Sequence, residues 1–426
     1  MSVDLESIIT YMLSFSFYYP LFMSYVWMAG ATQYYLRWEI KHHGQYHVLP
    51  ELPSYPPISL IVPCHNEGDN VEETIRALTE QRYPNFEVIA VNDGSTDDTA
   101  ERLDKLALRY PSLRVIHLLE NQGKAMALRM GVMASPNEFI VCVDGDAVLD
   151  CNASHWMMKH FLLSPKVGAV TGNPRIRTRS TLLGKIQVGE FSSIVGLIKR
   201  AQRVYGQIFS ISGVIAGFRK SALQEVDYWS LDAITEDIDV TWKLQMAKWD
   251  IRFEPNALCW ILMPETLKGL WTQRLRWSQG GAEVIARNFI KIFRWKHRRM
   301  WLLVAEYLVS AIWAYTIVLL FLLLLLSLVL PQMQELPSVQ VVPGTMSVAL
   351  ILTCLIQFGF SLFIDSKYEK GIGRYYFWMI WFPFAYWLLN VFTTVVGIPK
   401  GLLRKKGKRA VWTSPDRGIR SEDNES

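Results

Sequence analysis

Four apolar runs, each long enough to cross a bilayer, enclose a more polar central segment and constrain the fold of this chain most. They extend over residues 9–36, 301–330, 346–364 and 375–398, and each approaches or exceeds the roughly 20 residues that a membrane helix needs. Half of the 426 residues are hydrophobic, which is a large share for a wholly soluble protein. We therefore predict a soluble domain joined to membrane helices.

Basic residues mark which side of the membrane each flank faces. Arg37 and Lys41 follow the first run, so the positive-inside tendency places the central segment in the cytoplasm. Basic clusters at 291–299 and 404–409 are expected to face anionic lipid rather than nucleic acid. Three crossings after the central segment would export the second cluster. We therefore expect one of the later runs to lie in the interface or to re-enter, and the last run, which contains Pro383, fits best.

Composition divides the chain into five segments. We assign an N-terminal membrane helix and linker to 1–50, a cytoplasmic catalytic domain to 51–263, amphipathic interface helices to 264–300, a membrane region to 301–400 and a basic polar tail to 401–426. The proline-rich stretch at 50–57 marks the linker. Acidic rather than basic residues precede the first run, which argues against a signal peptide. The five scattered cysteines form no Cys-x-x-Cys pair, and we expect buried thiols in a reducing compartment.

The central segment alternates between two periodicities. Short β-rich runs occupy 58–63, 86–92, 114–119 and 138–143, and between them residues 70–81, 97–110 and 124–133 carry helical spacing of apolar residues. Repeated βαβ units of this kind predict an α/β domain with a mostly parallel sheet and helices on its faces.

Acidic side chains follow two of the predicted strands at their carboxyl ends, where such sheets bind ligands. The first group is Asp93-Gly94-Ser95-Thr96-Asp97, and the second is Asp144-Gly145-Asp146. Either group fits a polar turn in which short side chains satisfy free N–H groups at a helix start. The second group also suits Mg²⁺ or Mn²⁺, which would neutralise the charge of a departing diphosphate.

A third acidic group, Thr235-Glu236-Asp237, opens a predicted helix. Capping by Thr235, with favourable charge in the first turn, is one interpretation. The other makes Asp237 a general base that removes a proton from an attacking hydroxyl. One base with metal-assisted departure implies single displacement with inversion, because a retaining route needs a second, nucleophilic carboxylate.

The stretch 267–293 mixes aromatic, aliphatic and basic residues and is typical of amphipathic helices in the membrane interface. Within it, Gln273 and Arg276 can donate hydrogen bonds to a diphosphate, and Trp277 offers a flat face to a sugar ring. Lys124 fits a solvated helix start and a charge near a nucleotide equally well.

The three arginines of 175–179 fit a solvated charge run better than a phosphate or acceptor contact. Two enzyme classes lose their main support, because no Walker A loop surrounds Lys124 and no Gly-x-Gly-x-x-Gly follows the first strand. The sequence therefore argues against an ATPase of the P-loop class and against a Rossmann dehydrogenase.

The order of these groups, completed by Gln273-Arg274-Leu275-Arg276-Trp277, resembles the processive, membrane-embedded family 2 glycosyltransferases. That family includes cellulose, chitin, hyaluronan and poly-N-acetylglucosamine synthases. Longer stretches at 171–179, 184–190 and 257–268 are similar to the poly-β-1,6-N-acetyl-D-glucosamine synthases of bacterial biofilms. The likeness covers residues 56–418, and it implies a fold of glycosyltransferase A type joined to interface helices and a transmembrane bundle.

The resemblance also implies roles for particular residues. Asp237 would be the catalytic base and Asp146 the ligand of Mg²⁺ or Mn²⁺. Binding of the UDP-N-acetylglucosamine donor falls to Asp93, Lys124, Asp144, Glu67, Gln273 and Arg276. Acceptor binding falls to Trp277 and Glu236.

Partners follow from the same resemblance. The growing polysaccharide would leave through the enzyme's own helices in the bacterial inner membrane, a small membrane accessory subunit is usual, and cyclic di-GMP activates Gram-negative members. Two features of this chain depart from the pattern of the cellulose synthases. The chain lacks the long cyclic di-GMP-binding extension of cellulose synthases, and Ser212-Gly213-Val214 replaces their acceptor motif. Chitin-type or hyaluronan-type synthases, a non-processive lipid-linked glycosyltransferase and a catalytically degenerate transporter or scaffold stay open as alternatives.

Overall fold

Eight strands form one mixed sheet within the residues that the computed structural model describes, which are 5–40, 49–329, 344–404, 407 and 409. The strands are β1 Ile58–Cys64, β2 Phe86–Asp93, β3 Leu113–Leu118, β4 Phe139–Val143, β5 Val148–Leu149, β6 Val167–Ile176, β7 Ile215–Arg219 and β8 Asp250–Ile261. Their order across the sheet is β3-β2-β1-β4-β7-β6-β8-β5.

The first four long strands and the helices between them match the predicted βαβ pattern. Strands β3, β2, β1 and β4 run parallel, and the intervening helices are α2 Val71–Thr79, α3 Thr99–Arg109 and α4 Lys124–Ala134. Both faces of these strands are covered. Leu60 and Val62 belong to one apolar core and Ile61 to the other, and every residue of β1 is buried. This two-sided burial explains why the strands read as continuous apolar runs.

The second half of the sheet departs from simple βαβ winding. Strand β7 runs antiparallel to both of its neighbours, β4 and β6, whereas β6 and β8 are parallel. The helices of this half are α5 Ala153–Leu163, α6 Leu182–Glu190, α7 Ile198–Tyr205, α8 Lys220–Glu225 and α9 Glu236–Met246, with a π-helix at Phe191–Leu197. A turn at 212–215 leads into β7 and brings it beside the end of β4.

Long helices form the remainder of the described chain. They are α1 Leu5–Tyr34, α10 Leu267–Ile292, α11 Trp301–Val329, α12 Thr345–Asp365 and α13 Trp387–Leu402. Two helical segments among the described residues, Trp295–Val329 and Thr345–Asp365, are long and apolar enough to cross a membrane. They indicate membrane association. The N-terminal α1 does not meet that criterion, although it is a continuous helix through Pro20.

The last apolar run is not one straight helix. A 3-10 helix at Ile372–Trp381 and a π-helix at Phe382–Tyr386 precede α13, which packs lengthwise against α10. Beyond α13, Arg404 donates to the carbonyl of Asp232 at 2.7 Å. The start of the basic tail therefore lies against the domain that contains the sheet. Lys41, Lys405, Lys406 and Lys408 lie outside the described residues.

Six buried or half-buried charged residues tie the sheet domain to the chain that follows α1 and to the end of α12. We call them the junction cluster: Glu39, Arg175, Arg179, Arg200, Asp365 and Glu369. Arg175 lies 2.6 Å from Asp365 and 3.1 Å from Glu369, and Arg200 lies 2.7 Å from Glu39. The prediction of a solvated arginine run was therefore wrong for Arg175, which is 3% exposed. Strand alternation turns Arg175 toward α12, which sequence spacing alone does not reveal.

Candidate active site

Asp93 ends β2 and is fully buried. Its two carboxylate oxygens accept hydrogen bonds from the backbone N–H groups of Gln122 and Gly123, each at 2.8 Å. Burial raises the pKa of Asp93, and these two bonds oppose the rise. Asp93 thus holds the loop that starts α4. A Cβ atom at residue 94 would meet the backbone of Glu120 and Asn121 at 2.3–2.6 Å, so this approach requires Gly94, whose φ is +57°.

The loop places Lys124 among carboxylates. Its Nζ lies 2.6 Å from Asp144 Oδ1 and 3.1 Å from Glu236 Oε1. Burial lowers the pKa of Lys124, but the two carboxylates outweigh burial and leave the net pKa raised. Of the two interpretations of Lys124, the solvated helix start was therefore wrong. Together with Asp237, these residues form what we call the active-site cluster.

The carboxylates of this cluster differ in how well they are compensated. Burial raises the pKa of Asp144 to about 6, with Lys124 opposing and Asp146 adding to the rise. Burial also tends to raise the pKa of Glu236, but Lys124 and Arg276 bring it below its usual value. Within the cluster Lys124 is set against three carboxylates, and Arg276 offsets part of their charge from outside it, while the pKa values of Asp144 and Asp237 stay raised.

Asp237 lies in the first turn of α9, and the pKa of its carboxyl is raised, first by burial and then by the neighbouring Glu236. Its Oδ1 accepts from the N–H of Ile238 at 2.9 Å. The predicted capping by Thr235 was wrong, since the Thr235 side chain makes no cap hydrogen bond. That hydroxyl lies close to α10 instead, where a Cβ at Gly280 would be 2.0 Å from it. A raised pKa suits a carboxylate that must accept a proton near neutral pH.

The second acidic loop packs onto Glu67. A Cβ at Gly145 would lie 3.1 Å from Glu67 Cγ and 3.0 Å from the Pro63 carbonyl oxygen, so glycine permits this close approach. Glu67 is 1% exposed, and its Oε2 accepts from Asn70 at 3.1 Å. Asp146 is half-buried in the same loop.

The residues present fit a divalent cation that shares its ligands with a substrate. Within the described residues, no group of three or more His, Cys, Asp or Glu side chains is arranged to hold a metal ion. Mg²⁺ in transferase sites typically takes one or two carboxylates and completes its shell with phosphate oxygens and water. The excess negative charge around Asp144 and Asp146 favours a cation of that kind.

Of the site residues predicted on α10, Arg276 is the one whose charge reaches the cluster, whereas the contacts of Gln273 and Trp277 are with other residues. Arg276 is exposed, and its charge lowers the pKa values of both Glu236 and Asp237 relative to burial alone. Gln273 Nε2 lies 3.7 Å from Met263 Sδ. The Trp277 ring has the Arg274 guanidinium 4.2 Å from its centroid, and Arg274 is anchored by Glu190 at 2.6 Å. Arg276 thus acts on the carboxylates, whereas Arg274 lies against the Trp277 ring.

One buried charge near the site was not singled out by sequence patterns. Lys199 on α7 is 8% exposed and donates to Ser212 Oγ at 2.5 Å and to Thr171 Oγ1 at 3.3 Å. The tripeptide Ser212-Gly213-Val214 was the one available signal. Its partners could not be named, because Lys199 and Thr171 reach it only through the fold.

Comparisons with known proteins identify the family of this chain. The family described as Glycosyltransferase like family 2 matches residues 56–280. The chain belongs to glycosyltransferase family 2. The poly-β-1,6-N-acetyl-D-glucosamine synthase of Staphylococcus aureus strain MSSA476 is 44% identical over 405 residues, which cover 95% of this chain and 98% of that protein. The synthase of the same name from Staphylococcus epidermidis is 40% identical over the same length and shares.

A solved structure shows that the fold is shared beyond close sequence relatives. The mannosyltransferase PcManGT from Pyrobaculum calidifontis, in complex with GDP-Man and Mn²⁺, aligns with a TM-score of 0.60 at 19% identity and covers 94% of this chain and 99% of that one. The predicted fold of glycosyltransferase A type is therefore confirmed. As a family 2 glycosyltransferase, this protein is a transferase enzyme.

Proposed function

We propose that this glycosyltransferase polymerises N-acetylglucosamine from UDP-N-acetylglucosamine into β-1,6-linked poly-N-acetylglucosamine and moves the polymer across the bacterial cytoplasmic membrane. The observation that carries the proposal is the convergence of Lys124, Asp144, Glu236 and Asp237 at the carboxyl ends of the strands. The similarity over 95% of the chain to synthases of that name supports the choice of donor and polymer.

In this proposal Asp237 is the catalytic base. Its carboxylate accepts the proton of the acceptor hydroxyl while that oxygen attacks the anomeric carbon of the donor. A single base acting in one displacement inverts the anomeric configuration, so an α-linked donor yields a β-linked product. Glu236 and Trp277 would position the acceptor. Arg276 would donate to the diphosphate, because its charge already acts on the carboxylates at this rim.

The donor would be held by the other cluster residues. Lys124 and Asp144 would contact the nucleotide, with Glu67 beneath the acidic loop and Gln273 on α10. Asp93 would act at the uridine and also holds the loop that positions Lys124. Asp146 would ligate Mg²⁺ or Mn²⁺, and the bound cation would neutralise the charge that develops on the leaving diphosphate.

The membrane part of the proposal rests on α11 and α12. Both are long and apolar enough to span, and the Asp365 end of α12 meets the catalytic domain through the junction cluster. We propose a multi-pass protein whose catalytic domain lies in the cytoplasm, with the polymer leaving between its helices. An accessory membrane subunit and cyclic di-GMP regulation belong to the same proposal.

Incubation of membranes that contain the protein with radiolabelled UDP-sugars tests the proposal. We expect incorporation from UDP-N-acetylglucosamine into long polymer that a β-1,6-specific hydrolase degrades. A product cut only by chitinase or by hyaluronidase would move the assignment to those synthases. A single sugar on a lipid would indicate a non-processive enzyme.

A further inference from the structure

The turn at Ser212–Ile215, which we call the site turn, touches most of the active-site cluster. The carbonyl of Gly213 accepts from Lys124 Nζ at 3.2 Å, and that of Val214 accepts from the N–H of Asp144 at 3.3 Å. A Cβ at Gly213 would lie 3.3 Å from Asp237 Oδ2. The position of this turn therefore sets the spacing between Lys124, Asp144 and Asp237.

Lys199 holds the first residue of the site turn, Ser212. The ammonium group donates to Ser212 Oγ at 2.5 Å and to Thr171 Oγ1 at 3.3 Å, and Thr171 Oγ1 in turn accepts from the N–H of Ser212 at 2.8 Å. Because Thr171 belongs to β6, these bonds fasten the start of the turn to the sheet. The far end of the turn enters β7 and is fastened by strand pairing.

Stability alone does not account for a lysine at this place. Among the described residues, no aspartate or glutamate oxygen lies within 4.0 Å of Lys199 Nζ. Burial lowers the pKa of Lys199 to about 7, with only Asp237 opposing. A buried ammonium that lacks a direct carboxylate partner costs several kcal/mol, which an apolar side chain of similar volume would avoid.

We propose that Lys199 is a positioning residue that fixes the site turn and thereby sets Asp237 against the acceptor hydroxyl. The inference rests on the proposed function, since it assigns Lys199 to the same transfer reaction. In this role Lys199 touches neither donor nor acceptor. It acts through Ser212 and Gly213, and its charge also favours the ionised form of Asp237.

The charge effect makes the role measurable. Asp237 is faced by Glu236 from its own helix, by Lys124 from α4, by Arg276 from α10 and by Lys199 from α7. Removal of one positive charge raises the pKa of a neighbouring carboxyl, because the ionised form loses a favourable interaction. As the pH is lowered, Asp237 would then become protonated at a higher pH, and activity that needs its ionised form would be lost there.

The test compares purified full-length wild type with Lys199→Met, Ser212→Ala and the control Arg203→Met, which removes a half-buried cation from the same helix. Polymer synthesis is measured over UDP-N-acetylglucosamine concentration and pH. We expect Lys199→Met to lower kcat about tenfold with KM for the donor within about twofold, which is less than the roughly 10²-fold that a misplacement of about 1 Å can cost. The acid limb of its rate profile should move to higher pH. Ser212→Ala should lower kcat about threefold without moving the limb, and Arg203→Met should change neither.

Each outcome decides something. Wild-type kcat in Lys199→Met, or a loss that is uniform over pH, would overturn the inference. Should Lys199→Met fail to fold, Ser212→Ala decides, and a wild-type kcat in that variant would refute the role. A wild type that incorporates no UDP-N-acetylglucosamine would instead refute the proposed function.

Discussion

The junction cluster and the active-site cluster both place lysine or arginine against aspartate and glutamate out of water, and they are balanced differently. The junction sets three guanidinium groups against three carboxylates within ion-pair distance. The active site pairs Lys124 directly with Asp144 and Glu236, whereas Arg276 and Lys199 act on Asp237 without an ion pair to it, and the pKa values of Asp144 and Asp237 are raised. The contrast teaches that charge balance, rather than burial alone, separates a structural ion cluster from a site that we propose binds a cation and moves a proton.

Removal of the metal ion is expected to have the largest effect, and it should separate the two clusters by changing polymer synthesis and not stability. EDTA should reduce polymer synthesis to background, and Mg²⁺ or Mn²⁺ should restore it. The reason is that the active-site carboxylates cannot neutralise the negative charge of the departing diphosphate. The junction needs no cation, so the thermal unfolding temperature should not change in EDTA. Incorporation that continues unchanged in the chelator would remove the metal role of Asp146.

Neutralising the proposed base comes next. Asp237→Asn should lower polymer synthesis by at least about 10²-fold while UDP binding and unfolding temperature stay near wild type, since only proton acceptance is lost. Asp104→Asn, at an exposed carboxylate of the same domain, serves as the control and should be fully active. Near-normal synthesis by Asp237→Asn would count against the assignment.

At the junction cluster we expect a loss of stability, in contrast to the loss of activity expected for Asp237→Asn. Asp365→Asn leaves Arg175 and Arg200 with less opposing charge, and breaking a buried pair of this kind costs about 3–5 kcal/mol of unfolding free energy. Thermal unfolding in detergent measures it. Glu73→Gln, which breaks the part-exposed pair with Arg177, should cost no more than about 1 kcal/mol. Equal losses in the two variants would show that the junction is not a desolvated ion cluster.

The smallest expected effect concerns the raised pKa of Asp144, which is measured through the pH dependence of the unfolding free energy. The pKa of Asp144 is raised to about 6 in the folded protein, so the unfolded chain ionises first as pH rises and the folded state loses stability between about pH 4 and pH 6. Asp144→Asn also removes the 2.6 Å partner of Lys124, so the test is the pH dependence rather than the absolute stability. The variant should lack the fall of about 3 kcal/mol that the wild type shows between about pH 4 and pH 6. The same fall in Asp144→Asn would refute the raised pKa of Asp144.

Local patterns predicted much of the fold and part of the site. The strand and helix assignments between residues 58 and 143 agree with the structure to within two residues at each end, because each element is short, uniformly patterned and bounded by turn residues. Lys124 and Asp144 were singled out as separate residues that fit a nucleotide site. Their direct pairing at 2.6 Å depends on how β4 and α4 meet, which no local pattern contains.

The charged residues that sequence patterns assigned wrongly or did not single out share one physical cause. Arg175 was assigned to solvent and is 3% exposed, since its partner Asp365 lies 190 residues further along the chain. Lys199 carried no local signal at all, because its partners Thr171 and Ser212 come from two other elements. Long-range contacts decide whether a charged residue is solvated, paired or left uncompensated.

By itself the sequence determined that a βαβ domain places acids at strand ends and that apolar helices flank it, because periodicity and turn chemistry act over a few residues. Only the tertiary structure decided which charges meet. Packing of α4, α7, α9 and α10 around β4 and β7 pairs Lys124 with two carboxylates and leaves Asp237 without a direct ion pair. The contact of Asp365 at the end of α12 with Arg175 of β6 pairs the junction charges. The reason is physical: ionisation and pairing depend on distance and desolvation in three dimensions, and neither quantity is encoded at a single position.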